Sequence, residues 1–409
     1  MRGRGRRNRI IVQTRVPGET TTARERVESA GFSRMERDAG LARLVTARDT
    51  RREPFHRWMV FKQAFSPGLV RRFLRDEALL RPAPGSAPLL DPFSGTGTFV
   101  IECARQNIPA IGVDALLSTA FVTNVKALAE IPDVPDLTGC IDWPQVADGV
   151  AHPAHRAALI CAVAARHTAK GTLNRNAPPL LDSFNACVAM MRDDILHPLP
   201  RRNIIVHADG CDLACLADAS IGGILTSPPY LSRHDYAKLA QPQETVYAHW
   251  YGTVTPKQLP ASPQAHGLES VGSPFKSVGP PIESVGSPPM PNLPAPIPDA
   301  VLEACDALML ARQQKPARLV RTYFQGLLAA ISDFRRVLKA GAPCWIVIGG
   351  ARLKDVYIPT DTILADYARS AGFAVDRILV ARNLIPSGRK FGRLTNIAPR
   401  ESILVMRCI

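Results

Sequence analysis

Two short stretches carry residue types that do chemistry. Thr226-Ser227-Pro228-Pro229-Tyr230 follows the apolar run Gly222-Gly223-Ile224-Leu225, which predicts a short buried strand. Its two prolines end the strand, remove two backbone donors and stiffen the turn, so carbonyls are left to accept hydrogen bonds. A hydroxyl precedes them and an aromatic ring follows. Such a corner suits a planar base with an exocyclic amine: Ser227 Oγ and the Pro228 carbonyl accept the amine hydrogens, and Tyr230 stacks on the ring. A Pro-Pro turn that only closes a strand is the plain alternative.

The second stretch is Leu89-Leu90-Asp91-Pro92-Phe93-Ser94-Gly95-Thr96-Gly97-Thr98, an apolar strand entering a glycine loop, with a helix-like run from Phe99 to Gln106 behind it. Glycines let backbone approach a ligand closely, and a helix start offers free N–H groups. Further on, Ala110-Ile111-Gly112-Val113-Asp114 is a second apolar strand ending in an acid. An acid at that spacing accepts from a nucleotide ribose.

The loop is not the GxGxxG of dinucleotide enzymes. It resembles the DPFxGxGT loop of S-adenosylmethionine-dependent DNA amino-methyltransferases, and Thr226–Tyr230 resembles their catalytic loop. His56 to Val70 is similar to the segment that precedes the glycine loop in that family. The resemblance implies a Rossmann-like α/β fold: a mostly parallel seven-stranded sheet, a C-terminal antiparallel hairpin, and helical and proline-rich insertions. It implies S-adenosylmethionine as cofactor, held by Phe65, Ser66 and Pro67, by Asp91, Pro92, Phe93, Gly95, Gly97 and Thr98, by Asp114 on the ribose and by Asp209 on the adenine. Ser227, Pro228, Pro229 and Tyr230 are then catalytic, and no metal is needed. Ser in this loop is more typical of cytosine N4 and Asp of adenine N6, so a site-specific cytosine-N4 DNA methyltransferase is the first reading. Adenine N6, an RNA guanine N2 and a non-catalytic nucleic-acid-binding protein of the same fold stay open. DNA is the expected partner, and a cognate restriction endonuclease is the protein partner that such an enzyme admits.

The remaining chain has to position these loops. Its 409 residues and 46% hydrophobic content fit one large α/β domain with insertions. The formal charge is +14, and residues 1–57 alone hold 15 arginines and no lysine against 7 acids. Residues 1–55 read as a basic arm and 56–409 as the catalytic domain, with surface helices within 21–50. The arm lies along phosphates or only solubilises. Nine cysteines without a CxxC pair, and no secretory signal before them, predict reduced thiols and a cytoplasmic location; Cys211 and Cys215 lack the partners of a zinc site. No apolar run is long enough to cross a bilayer.

Ser66-Pro67 predicts a helix start, with Ser66 as cap and Pro67 in the first turn. Helices are expected over 118–130 with Ser118 as cap, over 154–169, 180–195, 301–312, 316–339 and 360–370, and strands over 203–207, 344–350, 374–381 and 402–406. Residues 131–200 form a helical insertion. Residues 237–300 form a flexible one, with 12 of the 36 prolines between 256 and 298 and three copies of a seven-residue Ser-Val-Gly repeat. Arg233 beside the catalytic loop, and Arg389, Lys390 and Arg393 in the hairpin loop, are candidate phosphate contacts, each equally a solvated charge. His234 is a candidate base, more plainly a structural histidine.

Overall fold

The computed structural model describes residues 22–59, 64–80, 85–168, 172–200, 203–207, 210–231, 236–251, 296–354, 356–384 and 399–409. The strands are β1 Met35–Arg37, β2 Leu89–Asp91, β3 Ala110–Asp114, β4 Ile204–His207, β5 Gly223–Thr226, β6 Pro343–Gly349, β7 Ala351–Leu353, β8 Val356–Ile358, β9 Phe373–Asn383 and β10 Arg400–Cys408. The helices are α1 Ala23–Phe32, α2 Leu41–Leu44, α3 Pro67–Asp76, α4 Thr98–Arg105, α5 Leu117–Val125, α6 Trp143–Gly149, α7 Pro153–Ala165, α8 Leu180–Ile195, α9 Tyr236–Tyr251, α10 Asp299–Leu310, α11 Gln314–Val337 and α12 Thr360–Ser370.

Eight strands form one sheet in the order β1-β9-β10-β6-β5-β2-β3-β4, and β7 and β8 form a separate hairpin. Only β10 runs against its neighbours. All other strands of the sheet therefore end on one edge, where ligands of open α/β sheets bind. This is the Rossmann-like sheet with a C-terminal antiparallel hairpin that the motifs imply.

The central strands are apolar throughout because both faces are covered. Successive side chains leave on opposite faces. Leu89, Leu225, Trp345 and Ile403 enter one core with α3, α4, α5, α7 and α8. Leu90, Ile224, Ile346 and Leu404 enter the other with α10, α11 and α12. The nine cysteines are free, and no described helix is long and apolar enough to cross a membrane.

The structure departs from the sequence reading at several places. The front of the chain is not an arm from Thr22 onward. β1 pairs in parallel with β9 as an eighth, edge strand, and Leu41 and Phe55 are buried. Three-residue β1 has no period for a sequence to show; its pairing is supplied by β9. The helix expected over 118–130 spans Leu117–Val125, and Leu116, not Ser118, occupies the cap. The flexible insertion begins with α9, which packs on α5, α6 and α7. Tyr247 of α9 meets Phe121 edge-on at 5.7 Å, and Arg156 lies over the Trp250 ring at 5.2 Å. The proline-rich repeats lie outside the described residues.

The helical insertion also anchors the segment before the glycine loop. Asp194, on α8 and 1% exposed, accepts from Phe55 N at 2.6 Å, Trp58 Nε1 at 2.8 Å and the Arg57 guanidinium at 2.5 Å. Removing the carboxylate strands three donors, two of them buried. Asp194→Ala is expected to cost roughly 2–4 kcal/mol, read as a lower urea midpoint with an unchanged slope; an unaltered midpoint would show that the turn at 55–58 is held by other contacts.

Candidate functional site

The two loops meet at the carboxyl edge because β2 and β5 are hydrogen-bonded neighbours, with Leu89 opposite Gly223 and Leu90 opposite Ile224. One side-chain bond ties their ends. Thr226 Oγ1 donates to Asp91 Oδ1 at 2.7 Å, both groups fully enclosed. The same oxygen accepts from Phe93 N at 3.1 Å, which turns the chain out of β2. Burial pushes the Asp91 carboxyl up to about 7, against the two hydrogen bonds that pull it down, and nearby Asp114 adds to the rise.

Asp114 closes the loop from the other side. Its Oδ2 accepts from Gly95 N at 2.6 Å, and its Oδ1 accepts from Leu116 N at 2.8 Å and Thr119 Oγ1 at 2.9 Å. Gly95 and Gly97 both have positive φ, +52° and +81°, but for different ends. A Cβ on Gly97 would lie 2.2 Å from Thr123 Cγ2, whereas one on Gly95 would meet nothing within 4 Å. Gly97 is required by packing against α5, and Gly95 faces open space. Thr98, buried, opens α4 directly behind Gly97.

Two buried side chains that hold backbone around the site were not foreseen. Lys126, at the end of α5 and 1% exposed, donates from Nζ to the Thr96 carbonyl at 2.7 Å; burial pushes its amine down to about 8. Glu244 of α9, also buried, accepts from Ser118 N at 3.0 Å beside Asp114, and burial raises its carboxyl. A single lysine closing an apolar helix was the visible signal for the first. Nothing in the local pattern marks the second.

Ser66 caps α3, accepting from Gly68 N at 3.1 Å, and Pro67 takes the first turn, as the sequence implies. Its hydroxyl also donates to Asp49 Oδ2 at 3.3 Å. Phe65 is buried in the core beneath α3, so both residues act here as structural supports of the segment. Pro92 is buried, and Pro92 and Phe93 pack on Gly210, where a Cβ would lie 2.0 Å from the Pro92 carbonyl. Asp209, Arg233, His234, Arg389, Lys390 and Arg393 lie outside the described residues.

Ser227, Pro229 and Tyr230 are partly exposed beyond β5, and Pro228 is buried. Tyr230 reaches over Gly349 and donates its hydroxyl to Glu401 Oε1 at 2.8 Å. Glu53, His56 and Glu102 bring ligand-type atoms within 4.8 Å of one another. The Arg71 and Arg105 guanidiniums bond the Glu102 carboxylate at 2.8 and 2.7 Å, so cations already fill that place and the cluster is an ion network.

The group implied by this fold is S-adenosylmethionine, and the residues fit it: a glycine with an open face at the edge of the loop, an acid at the end of β3, and a polar corner on the adjacent strand.

Comparison with known proteins agrees with the arrangement. Residues 80–242 match the family described as UPF0020, RMKL-like, methyltransferase domain. That match runs from just before β2 into α9 and holds both loops. The Type II methyltransferases M.AvaI of Nostoc sp. and of Anabaena variabilis are each 35% identical over 72 residues, 18% of this chain and 14% of theirs. The chain thus aligns with about a seventh of these relatives. Among solved structures, TrmN from Thermus thermophilus overlays with a TM-score of 0.30 at 12% identity, covering 88% of this chain and 53% of that one; so low a score adds nothing to the assignment. Together the family match and the relatives support a methyltransferase and leave its substrate open.

Asp91 generates a pH prediction. The folded chain holds that proton more tightly than the unfolded chain, whose ordinary value is 3.8. Its contribution to stability is full below that value and is lost as pH rises toward about 7. Asp91→Asn keeps an oxygen for Thr226 and Phe93 but cannot ionise. Its Tm relative to wild type should rise by a few degrees between pH 5 and pH 8, measured by calorimetry; a constant difference contradicts the assignment. Both glycines have positive φ, so alanine strains either, but only Gly97→Ala also meets Thr123; Gly97→Ala should melt at a lower temperature than Gly95→Ala, and Gly95→Ala should lose affinity for S-adenosylmethionine in titration calorimetry.

Proposed function

We propose that this protein transfers a methyl group from S-adenosylmethionine to an exocyclic amine of a DNA base, cytosine N4 first. The reading is carried by the Thr226–Asp91 bond, which joins the end of the cofactor-type strand to the end of the strand bearing Ser227 and Tyr230. The segment matched to a methyltransferase domain and the relatives named Type II methyltransferases favour it. Cytosine rather than adenine follows from Ser227 at the head of the catalytic loop.

S-adenosylmethionine held at the glycine loop would supply an electrophilic methyl group, and the amine nitrogen would release one proton as it takes that methyl. The chain's own task is to make the amine a nucleophile. An aromatic amine is a poor one because its lone pair is delocalised into the ring. Ser227 Oγ and the Pro228 carbonyl, held by the rigid proline pair, accept the amine hydrogens and draw the nitrogen toward a tetrahedral shape. A base inside a duplex is out of reach, so it is flipped out, and Tyr230 replaces part of the lost stacking, worth about 1–3 kcal/mol. Asp114 and the Gly95 backbone orient the donor's ribose side. Positioning supplies most of the rate.

Purified protein is incubated with labelled S-adenosylmethionine and either unmethylated DNA or tRNA, and the products are digested to nucleosides. N4-methylcytosine is expected. N6-methyladenine moves the target to adenine, and label in tRNA alone removes DNA. Ser227→Ala is expected to lower turnover by about 10²-fold or more while cofactor affinity stays within twofold. Full turnover in that variant ends the role given to the hydroxyl.

A further inference from the structure

We propose that Glu401 is a positioning residue that fixes the Tyr230 ring from β10, two strands away from β5, through one rung across three strands. The inference rests on the proposed role of Tyr230 as a stacking platform. In β6, Gly349 stands opposite Glu401 of β10, and Glu401 stands opposite Arg382 of β9. Residues directly opposite one another put their side chains on the same face, so these three form a single row. Each supplies something different to the ring.

Gly349 supplies room. A Cβ there would lie 2.8 and 2.9 Å from Tyr230 Cδ2 and Cε2, and 3.1 Å from Leu384 Cδ1. The φ of Gly349 is not in the left-handed region, so its backbone does not call for glycine; the neighbouring ring does. Glu401 supplies the anchor. It is 2% exposed, and its Oε1 accepts the Tyr230 hydroxyl at 2.8 Å. Arg382 supplies the counter-charge to this buried carboxylate, pairing through Nε with Oε2. The pairing of β9 with β10 shifts register between Glu401 and Ser402, and such irregularities redirect side chains at strand ends.

A ring held only at Cβ turns about two side-chain bonds. Held also at its hydroxyl, and lying on a bare backbone, it has one position. Tyr230 leaves β5, crosses the end of β6 and is caught by β10, so the last strand of the chain completes the base-binding corner. The proline pair stiffens the near end of that corner, and the rung stiffens the far end.

The test separates this inference from the reading it rests on. Tyr230→Ala, Tyr230→Phe, Glu401→Ala and the double Tyr230→Phe/Glu401→Ala are assayed for label transfer from S-adenosylmethionine to unmethylated DNA, with calorimetric cofactor affinity and thermal melting alongside. Tyr230→Phe keeps the ring and loses only the anchored hydroxyl. It and Glu401→Ala are each expected to lower kcat by about tenfold, with cofactor affinity unchanged. The double variant should be no slower than the slower single one. Turnover abolished in Tyr230→Ala but unchanged in Tyr230→Phe overturns the positioning role and leaves the platform; full turnover in Tyr230→Ala overturns the platform itself. A readout independent of turnover uses chain labelled with carbon-13 at tyrosine Cζ. The Tyr230 resonance, assigned with Tyr230→Phe, should shift and narrow in Glu401→Leu, which fills much of the same space and offers the hydroxyl no acceptor, as for a ring set free. An unmoved resonance overturns the inference even where Glu401→Ala does not fold.

Discussion

The bond between Thr226 and Asp91 is the constraint on which the site depends. Two parallel strands could be neighbours and still send their loops apart, because each exit is free to turn either way. Here the last side chain of β5 is hydrogen-bonded to the last side chain of β2 in the interior, and the same carboxylate receives the N–H that starts the glycine loop. The departure of one loop and the position of the other are thus decided by one buried acid. A buried carboxyl with two donors is costly to disturb, since either donor left alone keeps its full desolvation penalty.

Around this centre the glycine loop is clasped rather than rigid in itself. Asp114 holds Gly95 from β3, Lys126 holds the Thr96 carbonyl from α5, and Thr123 fills the space that a side chain on Gly97 would need. All three supports come from β3 and the helix that follows it. The supports of the proline corner come from elsewhere, from the rung formed by Gly349, Glu401 and Arg382. The two halves of the site therefore rest on opposite sides of β2 and β5, and the buried Thr226–Asp91 bond crosses between them. The helical insertion serves the first half through Asp194 under the 55–58 turn, and α9 serves it through Glu244 at the start of α5.

Much of this was legible from residue order. Apolar runs ending in Asp91, Asp114 and Thr226 marked three neighbouring strand ends, because a strand buried on both faces must be apolar and its loop must carry the polar group. Ser66-Pro67 declared its helix start, since capping is decided within four residues. Ser118 misled for the same reason in reverse: it has the type of a cap, but Glu244 from a distant helix takes the N–H groups at that end and shifts the start of α5. The edge strand β1 and helix α9 were invisible because neither has a pattern strong enough to stand alone; one is completed by β9, the other by aromatic contacts with α5 and α7.

Residue types and their local spacing determined the strands, the glycine loop, the proline corner and the class of chemistry, because those depend on backbone freedom and on neighbours a few positions away. Only the tertiary structure decided which side chains hold that machinery still. Asp91 and Thr226 are 135 residues apart, and Tyr230 and Glu401 are 171 apart. Contacts across such separations are chosen by strand order and register, which arise when the whole sheet assembles.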